Sequence, residues 1–158
     1  MISAMMLLMA CGGMKAQTDS ADVTVSDSAA IDSSKAQEQE MAAAKTFVEK
    51  FYKEWDKTDL LDYDYPKQHI TSKLLKYLAD AYDLDCEDEC LATWMFYYEG
   101  GGDVGTLKSR QITARDGSHV LVESKYVNYE YAVLLSLVKD GDTFKIDSLK
   151  QEKSEYIN

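Results

Sequence analysis

The chain is predicted to be an α+β domain, with N-terminal helices packed on one face of an antiparallel sheet of about four strands. Three observations carry this. Apolar residues recur at helical spacing between residues 41 and 95, and from Leu107 onward they alternate with period two. The run Gly100-Gly101-Gly102 separates the two halves. Asp116-Gly117 and Asp140-Gly141 punctuate the second half as turns. Helices first and meandering strands afterwards argue for segregated layers rather than βαβ units.

The elements follow in order. In "MAAAKTFVEKFYKEWDK", Phe47, Val48, Phe51, Tyr52 and Trp55 share one helix face, and Lys45, Glu49, Lys50, Lys53 and Glu54 form the other. "DLLDYDYPKQH" breaks that helix with Pro66, the sole proline, and places His69 in a loop. A second helix restarts at "TSKLLKYLADAY", with Thr71 or Ser72 as cap and Leu74, Leu75, Leu78, Ala81 and Tyr82 as its stripe. A third, short helix holds Leu91, Trp94 and Met95. "LKSRQIT" reads as the first strand. In "HVLVESKYV", Val120, Val122, Ser124 and Tyr126 alternate with Leu121, Glu123, Lys125 and Val127. "YAVLLSLV" is apolar on both faces, as a central, doubly covered strand would be, and "TFKIDSL" closes the sheet.

All 17 aromatic residues lie beyond residue 41. Residues 12–40 carry six acids against Lys15 and Lys35 and are rich in Ser, Asp and Ala. A segment so poor in apolar surface cannot offset its ordering entropy, so residues 11–40 are expected to be a disordered linker and residues 41–158 the domain. Before the linker, Ile2 to Ala10 is apolar or small. It is far shorter than the roughly 20 residues a bilayer span needs, and it reads as the core and cleavage site of a signal peptide over residues 1–10. Leu8-Met9-Ala10-Cys11, followed by Gly12, resembles the lipobox of bacterial lipoproteins. That resemblance implies acylation at Cys11, a membrane partner through the lipid, and a place in the cell envelope, at the outer membrane of a Gram-negative bacterium. No Lys or Arg precedes Cys11, so the positively charged start of the signal is expected upstream of Met1.

The first helix "FVEKFYKEW" and the tail "VLLSLVKDGDTFKIDSL" together resemble the nuclear-transport-factor-two-like superfamily over about residues 41–150. The resemblance implies a cone, with a long helix and two shorter ones against a strongly curved sheet. Phe144 stands where that family more often has Trp, followed by Ile146 and Leu149. Some members are isomerases or dehydratases working inside the cone, and many have no known chemistry, so the fold does not settle function.

The net charge of −11 disfavours nucleic acid as a partner. Neither His69 nor His119 has an acid at a spacing that makes a dyad obvious. Trp94, Tyr97, Tyr98, Tyr126 and Tyr131 are the candidates for lining a ligand concavity, although an aromatic stripe is more often ordinary core. In "DLDCEDEC", a calcium loop fails because Asp88 stands where Gly is needed and Trp94 where a bidentate Glu is needed. Zinc lacks two further ligands nearby, and the surrounding acids oppose a reactive thiolate. A Cys86–Cys90 staple or two free thiols remain. The staple requires a bent turn, because i,i+4 Cβ atoms on a helix lie about 5–6 Å apart where a disulfide wants about 3.8 Å. These readings make the chain a non-catalytic, lipid-anchored binding module for a small apolar ligand or a protein partner, with no metal and no cofactor expected. The alternatives are an enzyme using His119, Glu123 or Glu130 in the cone, and a structural or regulatory lipoprotein acting through oligomer contacts.

Overall fold

The computed structural model describes residues 27–58, 63–82, 90–97 and 105–157, with backbone alone for 27–32. Three helices, α1 (Asp27–Trp55), α2 (Asp64–His69) and α3 (Ser72–Asp80), are followed by a 3-10 turn at Thr93–Met95. Four strands come next: β1 (Leu107–Ala114), β2 (His119–Tyr126), β3 (Tyr129–Asp140) and β4 (Thr143–Tyr156). They form one antiparallel sheet in the order β1-β2-β3-β4. The architecture is α+β, as the change of period predicts.

α1 supplies the centre of the core. Val48, Phe51, Tyr52 and Trp55 are each no more than 1% exposed. They meet the sheet face built from Val120 and Val122 of β2, Val133, Leu135 and Leu137 of β3, and Phe144 and Ile146 of β4. The ladders put Ile112, Val122 and Val133 in line across three strands, so one register sets the whole inner face.

Three expectations need correction. The helix starts at Asp27, so residues 27–40 of the expected linker are helical. Composition showed that this stretch has little to bury, but helix growth needs no burial once the buried turns of α1 have nucleated it. Its Ala, Gln, Glu and Lys are strong helix formers. Glu40 then ties the extension to the sheet, 3.2 Å from Lys139. It also lies so close to Gly117 that a Cβ there would meet Glu40 Cγ at 2.6 Å. Second, "DYPKQH" is a helix, not a break, and His69 is its last residue. Pro66 occupies the first turn, where backbone N–H groups have no intrahelical acceptor. Third, among the described residues helices cover one face of β3 only. On the other face Ala132 is buried, Leu134 and Ser136 are half-buried and Val138 is exposed.

The sheet is pinned to the helices at β4. The β3–β4 register shifts between Ser136 and Leu137, which leaves Asp147 as the extra residue of a bulge. Asp147 Oδ1 accepts from Thr71 Oγ1 at 2.9 Å, and Oδ2 accepts from Lys73. Those two donors, Lys73 first, hold its pKa below the ordinary carboxylate value. Thr71 also caps α3 by accepting from Leu74 N at 3.2 Å, and its own N donates to Ile146 O at 2.9 Å. At the other end of the hairpin Gly141 adopts φ 62°, which suits a two-residue turn between paired Asp140 and Thr143.

Thr71→Ala removes the cap and the Asp147 contact together, and should cost about 1–2 kcal/mol. Thr71→Ser should recover most of it. Urea denaturation of the three proteins measures the difference.

Candidate functional site

The candidate aromatics divide into two groups. Tyr97, Tyr126 and Tyr131 are 5%, 8% and 4% exposed and belong to the core cluster rather than to an open concavity. Trp94 packs half-buried at the margin of that core, against Tyr82 with ring centroids 5.4 Å apart. Tyr98 falls outside the described residues, as do Cys11, the rest of residues 1–26, Cys86 and the triple glycine. Cys90 is disulfide-bonded and borders a groove with Leu75, Ala79 and Leu91.

The three buried tyrosines gather around two residues that sequence reasoning left out of the site, Tyr52 and Arg110. Tyr52 comes from the last turns of α1, and its ring centroid lies 5.3 Å from that of Tyr97. Arg110 sits on β1 in phase with Ile112, so alternation turns its side chain toward the helix layer. Its guanidinium lies 4.4 Å from the Tyr52 ring centroid and 5.1 Å from that of Tyr97. Nη1 donates to Asp56 Oδ2 at 2.6 Å, and Nε donates to Ser124 Oγ at 3.4 Å. The Arg110 side chain is only 10% exposed, whereas that of Asp56 is 42% exposed. One signal could have found this residue: it is one of two arginines in the chain, and it stands on the buried parity of a strand.

The interior here is polar for a core. Tyr52 Oη donates to Phe96 O at 3.2 Å, and Tyr131 Oη donates to Met95 O at 2.8 Å. Two further donors, Tyr97 Oη and Trp55 Nε1, are buried with no hydrogen-bond partner among the described residues. Their rings touch, with centroids 4.7 Å apart. Burial drives the phenol pKa values of Tyr52 and Tyr97 well above normal, with Arg110 pulling both partly back. Burial likewise pushes Tyr131 up to about 12. All three phenols are therefore protonated near neutrality and able to donate. Outside it, a cleft of about 410 Å³ opens between α1 and β1, lined by Glu49, Tyr52, Lys53, Asp56, Arg110 and Ile112.

The candidate acid–base residues do not reach this interior. Glu130 lies on the outer sheet face, held by Lys125 at 2.6 Å and by Lys153. Those bonds, Lys125 first, bring its pKa down to about 2. Glu123 is exposed on the same face. His119 sits beside Ser118 and Asp116, a trio that suggests a nucleophile relay by composition alone. Both neighbours, however, address one ring nitrogen: Nδ1 is 3.1 Å from Ser118 Oγ and 2.9 Å from Asp116 Oδ2. A relay needs the serine and the acid on opposite nitrogens. Asp116 instead organises the turn, accepting at Oδ1 from Ser118 N and His119 N, both at 2.7 Å. The Ser118 N–H is the first cause that brings its pKa down to about 2. His69 packs among Phe47, Phe51 and Tyr65, and burial lowers its pKa. Among the described residues no group of three or more His, Cys, Asp or Glu is placed to hold a metal ion, and no helix is long and apolar enough to cross a membrane. No family model, curated protein or solved structure matches the chain.

Two outcomes test these assignments. Tyr131→Phe strands the Met95 carbonyl and should cost about 1 kcal/mol, whereas Tyr97→Phe removes an unpaired donor and should be neutral or stabilising. Equal losses in chemical denaturation would show that the Tyr97 hydroxyl has a partner. Glu130 has a folded pKa below its unfolded value, so its contribution is present above about pH 4.5 and is lost as the pH falls toward 2. Glu130→Gln should therefore flatten the acid limb of a stability profile measured between neutral pH and pH 3.

Proposed function

We propose that this chain is a non-catalytic binding module of the cell envelope, held at a membrane through lipid on Cys11, which takes a small ligand at the tyrosine cluster beside Arg110. The observation that carries the binding reading is the pair of orphan donors, Trp55 Nε1 and Tyr97 Oη, in contact with each other and next to a buried guanidinium. Buried polar groups are nearly always paired, and an unpaired one costs about 1–3 kcal/mol. Two in one cluster are explained by an occupant that supplies acceptors. The expected ligand thus differs from the apolar one that the aromatic residues alone suggest.

The non-catalytic part rests on what the cluster contains. Arg110 and the protonated phenols donate hydrogen bonds, and the nearest carboxylate, Asp56, is engaged by Arg110. Glu123, Glu130 and His119 stand elsewhere. Helices on one face of a four-stranded antiparallel sheet, with bulges along β4, support membership of the nuclear-transport-factor-two-like superfamily. The lipid anchor rests on the Leu8-Met9-Ala10-Cys11 pattern.

Expression with the native upstream region in a Gram-negative host tests both halves. Wild type should incorporate palmitate and sediment with membranes, and Cys11→Ser should do neither. An unmodified, soluble wild type removes the anchor. Native mass spectrometry of the full chain purified from membranes should reveal a bound small molecule that Arg110→Ala lacks. Equal small-molecule content in the two, none included, overturns the binding assignment.

A further inference from the structure

We infer that the ligand presents a carboxylate, and that Asp56 is an internal stand-in for it, occupying Arg110 until the ligand displaces it. This inference rests on the binding-module reading above and names the chemistry of its ligand.

The argument starts from the asymmetry of the ion pair. Arg110 is 10% exposed and Asp56 is 42% exposed, with 2.6 Å between Nη1 and Oδ2. A buried guanidinium cannot be left without an anion, because its desolvation would then be uncompensated. A carboxylate nearly half in water gives up little when it turns outward. Asp56 also lies just past the end of α1, its backbone N tied to Tyr52 O at 2.8 Å. Its side chain can leave without unwinding the helix. An occupant that displaces it must bring its own negative charge.

The geometry of the remaining donors selects among anions. Arginine's planar fork matches the two oxygens of a carboxylate, and a carboxylate offers about four lone-pair sites. The cleft is lined by Arg110 and Asp56 themselves, so a ligand carboxylate seated in it reaches the same guanidinium in place of Asp56. The cleft wall adds Ile112 and the Tyr52 ring, an apolar seat for the body of the molecule. The net charge of −11 works against polyanions, so the class is a small monocarboxylate with an apolar body.

Benzoate is the probe, with benzamide as its neutral counterpart, and binding to the full chain is read by calorimetry and by quenching of tryptophan fluorescence. Benzoate should bind at least about ten-fold more tightly than benzamide, since its hydrogen bonds to Arg110 are charge-assisted. Asp56→Asn removes the internal competitor and should tighten benzoate about ten-fold. Arg110→Lys keeps the charge but loses the fork, and should weaken benzoate at least ten-fold. That variant keeps the test decisive if Asp56→Asn does not fold. Equal affinity for benzoate and benzamide, no binding of either, or weaker benzoate binding to folded Asp56→Asn overturns the inference. If the co-purified molecule is still lost in Arg110→Ala while benzoate is not preferred, the ligand class is wrong and the binding module stands. If wild type and Arg110→Ala carry equal ligand, the module itself falls.

Discussion

The structure depends on burying one stripe of α1. Val48, Phe51, Tyr52 and Trp55 lie within two turns and are essentially sealed against the inner face of the sheet. At about 1.5–3 kcal/mol per fully buried large apolar side chain, the stripe is a main source of stability for a domain this small. It also fixes geometry. Phe51 touches Tyr52, Trp55, Tyr65, Phe96 and the His69 ring, so α1, α2 and the segment after α3 are positioned by contact with a single side chain. Anything that moved this stripe would move α2 and the segment around Phe96 relative to the sheet.

The second constraint is the bulge in β4. A regular strand would point residue 147 to the outer face. The register shift instead leaves Asp147 facing Thr71 and Lys73 at the start of α3. One extra residue in a strand thereby becomes the anchor of a helix N-terminus, while Ile70 and Ile146 pair directly beside it. The helix layer is held at one end by apolar packing and at the other by hydrogen bonds, which direct it to a single position. The far part of β4 is an open sheet edge. It carries Lys150, Glu152, Lys153 and Glu155, charges of the kind that discourage another strand from adding there.

Between these two anchors lies an interior that hydrophobicity alone would not build. Tyr52, Tyr97, Tyr131, Ser124 and Arg110 replace what could have been leucines, and the Tyr97 hydroxyl and the neighbouring Trp55 Nε1 have no partner among the described residues. Apolar residues of similar volume would be at least as stable, since buried ion pairs and networks rarely outperform hydrophobic packing. A polar cluster that costs stability and is incompletely satisfied marks the place where function rather than folding accounts for the residues. The ion pair to Asp56 makes the cluster tolerable in the free protein: it neutralises Arg110 from a position that water can still reach.

The sequence by itself determined the class of the fold, because class follows from local periodicity. The stripe from Phe47 to Trp55, the Thr71 cap, the alternation of Val120, Val122, Ser124 and Tyr126, and the Asp-Gly pairs all depend on neighbours a few residues away, and all are readable in order. The length of α1 was not readable, since composition reports what a segment can bury and not whether an adjoining helix will grow through it. The helix around Pro66 was missed for a related reason: a proline breaks a helix or begins one according to its place in the turn. The candidate site was legible only in part. Tyr97, Tyr126 and Tyr131 could be singled out as aromatic residues, but the seating of Arg110 on the Tyr52 and Tyr97 rings could not. Tyr52 and Arg110 are 58 positions apart in the chain, and only strand register and the seating of α1 bring them together. Whether an aromatic side chain is core or site is decided by what surrounds its polar atom, and that is a property of the tertiary structure.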